Sequence, residues 1–295
     1  MEMRNIKTFI RVAEIGNFSK AAADLGYAQS TVTTQIQMLE KELRVTLFER
    51  NGKRVTLSGA GKEFLDYAYQ MQRCEAMALA HFAAGQEEPQ GEVTIGVMET
   101  ICASHYGEIF RIFRQRFPKV NMKVVVATTL ECMEMLEKGT LDVILTVDKK
   151  LHHPHWVSAH EIPAEICFFC SSDHPFAAKK EVPVDVLIRE NFIQIEEGCN
   201  YRQAFEQYLN DQGKYITNVM EIGYTRLIID AVAAGLGVSL LPRFTLEEAL
   251  ERGEIAVFSA EEYSISMLMQ VIYSENRWLT PPLQAFLDIA KEILV

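Results

Sequence analysis

The chain has 295 residues, 48% hydrophobic and 23% charged, enough for a sizeable core and for two or three domains. No apolar run approaches the ~20 residues that cross a bilayer, and the N-terminus has no signal-peptide apolar block, so a cytoplasmic protein without a membrane partner is expected. The net charge of −11 would repel nucleic acid, but residues 1–58 alone carry +3, leaving −14 on the rest.

Residues 3–15 place Ile6, Phe9, Ile10 and Ala13 on one helical face, and Gly16-Asn17 stops the helix. Ser19 stands where an N-cap should, ahead of KAAADL, and Gly26 closes this short second helix. The stretch YAQSTVTTQIQMLEKEL (27–43) follows. At 100° per residue, Val32, Ile36, Leu39 and Leu43 form a narrow apolar stripe. Ser30, Thr34, Gln37 and Lys41 lie opposite, with Gln29 and Thr33 on the flanks. Two short helices joined by a tight turn, the second with a weakly charged polar face, describe a helix-turn-helix. The alternative is a solvated helix in a small bundle.

LFERNGKRVTLS (47–58) alternates apolar residues on both sides of an Asn-Gly turn, the pattern of a hairpin. Arg50, Lys53 and Arg54 surround its tip, as in a wing that touches phosphates beside a groove. Ser58 can cap a further helix to about residue 84. Along it Phe64, Tyr67, Met71, Cys74 and Ala78 make a seam suited to pairing with another helix, and dimerisation is expected. GQEEPQG (85–91) reads as a linker.

Beyond the linker, EVTIGV, SHYGEIFRIFRQRF, VNMKVVVA, ECMEMLEKG and LDVILTV alternate strand and helix. That alternation, which continues to a last helix from about Pro281, specifies a mostly parallel, doubly wound α/β sheet. Six cysteines scattered between Cys74 and Cys199 argue for reduced thiols. Cys167 and Cys170 form a CxxC within an apparent strand, which disfavours zinc or redox chemistry. HHPHW (152–156), with His160 nearby, reads as a solvated loop rather than a metal site. AAGLG (233–237) follows a helix and lacks a third glycine, so its glycines end that helix and do not cradle a nucleotide. No catalytic constellation, metal-ligand set or cofactor motif is present, so an enzyme is not expected.

The block FSKAAADLGYAQSTVTTQIQMLEKELRVTLFER, with TLSGAG after it and AAGLGVSLLP at 233–242, resembles the LysR-type transcriptional regulators over essentially the whole chain. The resemblance implies a winged helix-turn-helix (1–58), a dimerisation linker helix and hinge (59–88), and an effector-binding region (91–295) similar to periplasmic solute-binding proteins. That region would hold subdomain I (91–161 and 266–295) and subdomain II (162–265), with a ligand cleft between them.

Carried over position by position, the DNA-binding residues would be Ser19, Gln29, Ser30, Thr31, Thr33, Thr34 and Gln37, with Arg50, Lys53 and Arg54 on phosphates. Family members commonly have a serine cap and a basic residue where this chain has Ala28 and Thr34. The effector cleft would draw on Thr100, Ser104, Thr128, Thr129, Gly198, Cys199, Arg202 and Thr225, with Arg202 as a carboxylate clamp. A small anionic metabolite is then the expected ligand. Cys199 matches a loop where peroxide-sensing members place a reactive cysteine, but no second cysteine follows it. The expected partners are double-stranded DNA, the effector, a second or further copies of the chain as a homodimer or homotetramer, and RNA polymerase. The alternative is an α/β solute-binding or enzymatic module that the N-terminal block only assembles.

Overall fold

The computed structural model describes residues 1–51, 54–82, 88–275 and 279–294. These fall into two compact units, one built from the N-terminal segment and the other from Glu88–Leu136 with Leu141 onward.

Helix α1 (Met3–Ile15) ends where Gly16 takes φ = 65°, its N–H closing on the Val12 carbonyl. Helix α2 (Phe18–Leu25) is capped by Asn17, whose side-chain oxygen accepts the Lys20 N–H, and not by Ser19 as expected. Phe18 is buried against Phe48, so the helix begins two residues earlier and carries that ring inward. Helix α3 (Gln29–Leu43) buries Val32, Ile36 and Leu39 as its periodicity requires. Gln35 is buried as well, its Oε1 accepting the Thr8 hydroxyl at 2.6 Å.

Strands β1 (Phe48–Asn51) and β2 (Arg54–Leu57) pair antiparallel, Phe48 opposite Leu57, and form the expected hairpin. Lys53 lies outside the described residues, as do the side chains of Arg50 and Arg54. Helix α4 (Gly59–Phe82) starts at Ser58, whose hydroxyl oxygen accepts the Gly61 N–H at 2.9 Å. Residues 83–87, covering the predicted end of this helix and the start of the linker, also lie outside the described residues. A Cβ on Gly61 would sit 2.0 Å from the Leu47 carbonyl oxygen, so the glycine of TLSGAG permits a close backbone crossing.

The unit's core gathers α1, α2, α3, the hairpin and the start of α4 around Phe9, which packs on Phe48 and Phe64 at 5.3 and 5.0 Å between ring centroids. Phe64 therefore faces its own domain, and the proposed seam loses its first member. Met71 is also half-buried against this core, while Tyr67, Cys74 and Ala78 of the seam are exposed, with Leu79 beside them.

In the larger unit, β3 (Gly91–Val97) leads through α5 (Glu99–Cys102) and α6 (Glu108–Arg116) into β4 (Val120–Val126). Helix α7 (Thr129–Glu137) follows, then β5 (Val143–Asp148). Strand β3 lies between β4 and β5, parallel to both. Strand β6 (Trp156–Ser171) carries the chain into the second subdomain. That subdomain comprises β7 (Glu181–Val182), α8 (Val184–Leu187), β8 (Asn191–Gln194), α9 (Asn200–Asp211) and β9 (Asn218–Glu221). It continues with α10 (Thr225–Ala233), β10 (Ser239–Pro242), α11 (Glu247–Glu251) and β11 (Ile255–Ala260). Strand β12 (Ser266–Ser274) returns to the first subdomain, and α12 (Pro281–Ile293) packs there.

The main sheet runs β4-β3-β5-β12-β6-β11-β7, with β10 also on β6. The sheet is mixed, not mostly parallel: β12 opposes β5 and β6, while β6 opposes β10 and β11. The reversed strands are the two that carry the chain between subdomains, since each enters from the far side of its new neighbours. Cys167 and Cys170 lie buried in β6, where burial pushes their thiols up to about 12 and about 11. His160 is not part of the histidine loop but of β6, with its Nε2 against the Leu294 carbonyl.

Candidate functional site

The outer face of α3 exposes Gln29, Ser30, Thr31, Thr34, Gln37 and Lys41, with Thr33 half-buried. Ser19, exposed on α2, donates its hydroxyl to Gln29 Oε1 at 2.8 Å and holds that side chain at the helix start. The Thr33 hydroxyl donates back to the Gln29 carbonyl at 3.0 Å. Both carboxylates of α3 are engaged within the unit, although Glu42 stays exposed. Glu40 accepts the Leu47 N–H at 2.8 Å and so anchors the hairpin, while Glu42 pairs with the N-terminal ammonium at 2.6 Å. What remains outward is a set of hydroxyls and amides with Met38 and one lysine, which can meet base edges and phosphates.

The second candidate site lies where the two α/β subdomains meet. The end of β3 turns at Met98 into α5, so Glu99 and Thr100 project toward the second subdomain. Thr100 is buried, its hydroxyl 3.3 Å from that of Tyr201. Asn200 donates to Thr129 Oγ1 at 2.8 Å and to the Val147 carbonyl at 2.9 Å. Thr225, first residue of α10, gives its N–H to Glu99 Oε2 at 3.1 Å and its hydroxyl to the same oxygen. Thr128 donates its N–H and hydroxyl to Glu131 at 2.9 and 2.8 Å. Ser104 turns back onto the Ile101 carbonyl at 2.8 Å. Gly198, at φ = 92°, brings its backbone close to Thr128 across the cleft.

Of the residues expected at the effector cleft, Thr100, Ser104, Thr129, Gly198, Cys199, Arg202 and Thr225 are not among those lining the cavity here. Thr128 is, with Glu99, Glu131, Glu196, Glu197 and Tyr224, around a volume of about 420 Å³. That is the size of a small-metabolite pocket. Arg202, expected as a carboxylate clamp, is already held: its Nε donates to Glu206 at 2.8 Å, and its Nη1 to Glu221 at 2.7 Å and to the Ile195 carbonyl. Its guanidinium is neutralised by two carboxylates of its own subdomain, so an incoming anion would have to displace them. The sequence reading missed the carboxylates themselves, although Glu99 adjoins Thr100 and Glu196-Glu197 adjoins Gly198. Glu131 is held below the usual carboxylate range by the Thr128 N–H and hydroxyl. Glu196 is pushed above it by burial and by the charges of Glu99, Glu131 and Glu221.

Cys199 caps α9 as a buried residue, and burial pushes its thiol up to about 11. Little thiolate exists at neutral pH, and the thiolate is the reactive form. A Cys199→Ser variant is therefore expected to bind DNA as the unaltered chain does, in peroxide and in reductant alike. A gel shift that responds to peroxide in the parent and not in the variant would overturn this.

Among the described residues, no group of three or more His, Cys, Asp or Glu side chains is placed to hold a metal ion. Nor is any helix there long and apolar enough to cross a membrane.

Comparison with known proteins agrees with this architecture. Residues 3–62 match the family of bacterial regulatory helix-turn-helix proteins, lysR family, and residues 86–294 match the LysR substrate binding domain. Over 298 residues the chain is 35% identical to an uncharacterized HTH-type transcriptional regulator, YwqM of Bacillus subtilis (strain 168), with 99% of each chain covered. It is 29% identical to the regulator GltR of the same organism, covering 97% of this chain and 95% of GltR. Among solved structures, full-length OxyR from Pseudomonas aeruginosa superposes with a TM-score of 0.76 at 20% identity, covering 100% of this chain and 95% of that one. CbnR bound to its target DNA gives 0.68 at 21% identity, covering 99% and 100%.

Proposed function

Because the chain belongs to the LysR family of DNA-binding transcriptional regulators, which are not enzymes, we propose that α3 reads an operator while a small molecule in the cleft controls the outcome. One observation carries the reading of α3: its outward face keeps hydroxyls and amides, while Glu40 and Glu42 are both engaged elsewhere. On this proposal Gln29, Ser30, Thr31, Thr33, Thr34 and Gln37 face the groove, with Ser19 positioning Gln29. Arg50, Lys53 and Arg54 supply phosphate contacts at the wing, which give affinity without sequence information.

The exposed Tyr67, Cys74, Ala78 and Leu79 of α4 support pairing with a second copy, whose two α3 helices would address half-sites about one helical turn apart or a multiple of it. Contact with RNA polymerase and residence in the cytoplasm belong to the same reading. The cleft acts by binding one arrangement of the protein more tightly than another. The domain boundaries inferred from sequence are part of the same proposal: 1–58, 59–88, 91–161 with 266–295, and 162–265.

A gel shift with DNA from upstream of the protein's own gene, at two salt concentrations, tests the reading. Binding is expected to favour that DNA over unrelated sequence and to weaken steeply with salt. Gln29→Ala is expected to lower affinity for that site by roughly tenfold and to relax sequence preference, in line with about 1–3 kcal/mol for one base-reading side chain. Absence of any shift would return the N-terminal unit to an assembly role.

A further inference from the structure

We propose that the cleft takes a small organic cation, an amine or guanidinium compound, held by Glu99, Glu131, Glu196 and Glu197 and covered by the ring of Tyr224. The inference rests on reading the cleft as the effector site and assigns the charge of its ligand.

The cleft contains the elements that would recognise an anion, but the chain's own carboxylates already occupy them. At the N-terminus of α10, Glu99 accepts both the N–H and the hydroxyl of Thr225. At the N-terminus of α7, Glu131 accepts both from Thr128. Arg202 is paired with Glu206 and Glu221. The Thr129 hydroxyl is taken up by Asn200 and Thr146, and that of Thr100 faces Tyr201. A ligand carboxylate would have to displace internal ones and then sit among those left behind.

A cation meets the opposite situation. Four carboxylates border the cavity, two from each subdomain, and among the described lining residues there is no lysine or arginine. Tyr224 is 65% exposed at this cavity and offers a π face, which attracts ammonium and guanidinium groups. A bare metal ion fits poorly, because the described carboxylates do not converge as a ligand set. A volume of about 420 Å³ suits an organic molecule instead.

The pH dependence has a definite sign. Glu196 faces Glu99 from α5, Glu131 from α7 and Glu221 from β9, and its pKa is raised. Affinity for a cation should fall as pH drops through that raised pKa, because protonation removes a negative charge from the cleft. The ligand-free protein behaves in the converse way. A group with a raised folded pKa contributes stability below its unfolded pKa and loses it as pH rises through the folded value. Glu196→Gln, which mimics the protonated form, should therefore melt no lower than the parent at pH 7.

The experiment uses the full chain in thermal-shift and calorimetric titrations at constant ionic strength. The probes are putrescine and agmatine, succinate and glutarate, and magnesium and zinc chlorides. At least one amine is expected to bind and stabilise the protein, with affinity reduced about tenfold or more in Glu196→Gln. Binding of succinate or glutarate in place of the amines overturns the charge assignment while leaving the effector cleft intact. A response to the metals alone, or to no probe, overturns the assignment as well. Amine binding undiminished in both Glu196→Gln and Glu197→Gln places the ligand elsewhere, and the cleft reading falls with it.

Discussion

Phe9→Ala is expected to abolish DNA binding by unfolding the N-terminal unit. Phe9 is fully buried, and its ring joins Phe48 of the hairpin to Phe64 of α4. It thus ties the reading helix's support, the wing and the long helix into one core. Truncating a buried phenylalanine costs about 3–5 kcal/mol, through lost burial and the cavity left behind. Whole domains are stable by only about 5–15 kcal/mol, and small ones sit at the low end. Thermal unfolding should show the N-terminal transition at a much lower temperature and the effector unit's transition unmoved. The gel shift should be lost at the growth temperature. Phe9→Leu, which keeps most of the volume, should retain both. A Phe9→Ala protein that melts and shifts DNA like the parent would contradict this account of the core.

The second large effect is expected from Gly237→Ala in the effector unit. A Cβ at this position would lie 2.2 Å from the Asn191 carbonyl oxygen and 2.9 Å from its carbon. These are backbone atoms of β8, fixed where the Val238 N–H donates to that carbonyl at 2.9 Å and the Ile193 N–H to Val238 at 2.8 Å. No flexible side chain can yield, so the two segments must separate and weaken those bonds. Overpacking of this kind costs typically about 1–3 kcal/mol, and a backbone obstacle puts Gly237 at or beyond the upper end. Gly235, two residues earlier, provides an internal comparison. It has φ = 78° and open space around it, so alanine there should cost only about 1 kcal/mol, the penalty of a left-handed residue. The melting temperature of the effector unit should fall further for Gly237→Ala than for Gly235→Ala. Equal losses would show that the close crossing contributes nothing.

Those two glycines also mark how far the sequence could be read. AAGLG announced a helix end, and Gly235 provides it, because a left-handed residue after a helix is a local matter. Nothing local distinguishes Gly237, whose constraint comes from a strand more than forty residues away. The same division holds at α2, where Ser19 matched a cap pattern but Asn17 took the position. The burial of Phe18 against Phe48, thirty residues on, set the helix start. Phe64 fitted a helical seam by spacing, yet the ring of Phe9 turned it inward.

From its sequence alone the chain had determined its class. Periodicities of 3.6 and 2 residues, Gly and Asn-Gly stops and the charge step near residue 58 are properties of neighbouring residues. They specify a winged helix-turn-helix followed by an α/β region, with the polar α3 face that we propose addresses DNA. The chemistry of the cleft was decided only by tertiary structure. Thr128, Thr225 and Arg202 looked like anion ligands because hydroxyls, helix starts and a guanidinium suit anions when considered singly. Folding set Glu99 on Thr225 across 126 positions of sequence and Glu221 on Arg202 across 19. The Arg202 charge is so cancelled, while a hydroxyl and an amide leave Glu99 charged, and what faces the cavity is the carboxylate surplus, a sum over segments that no local pattern contains.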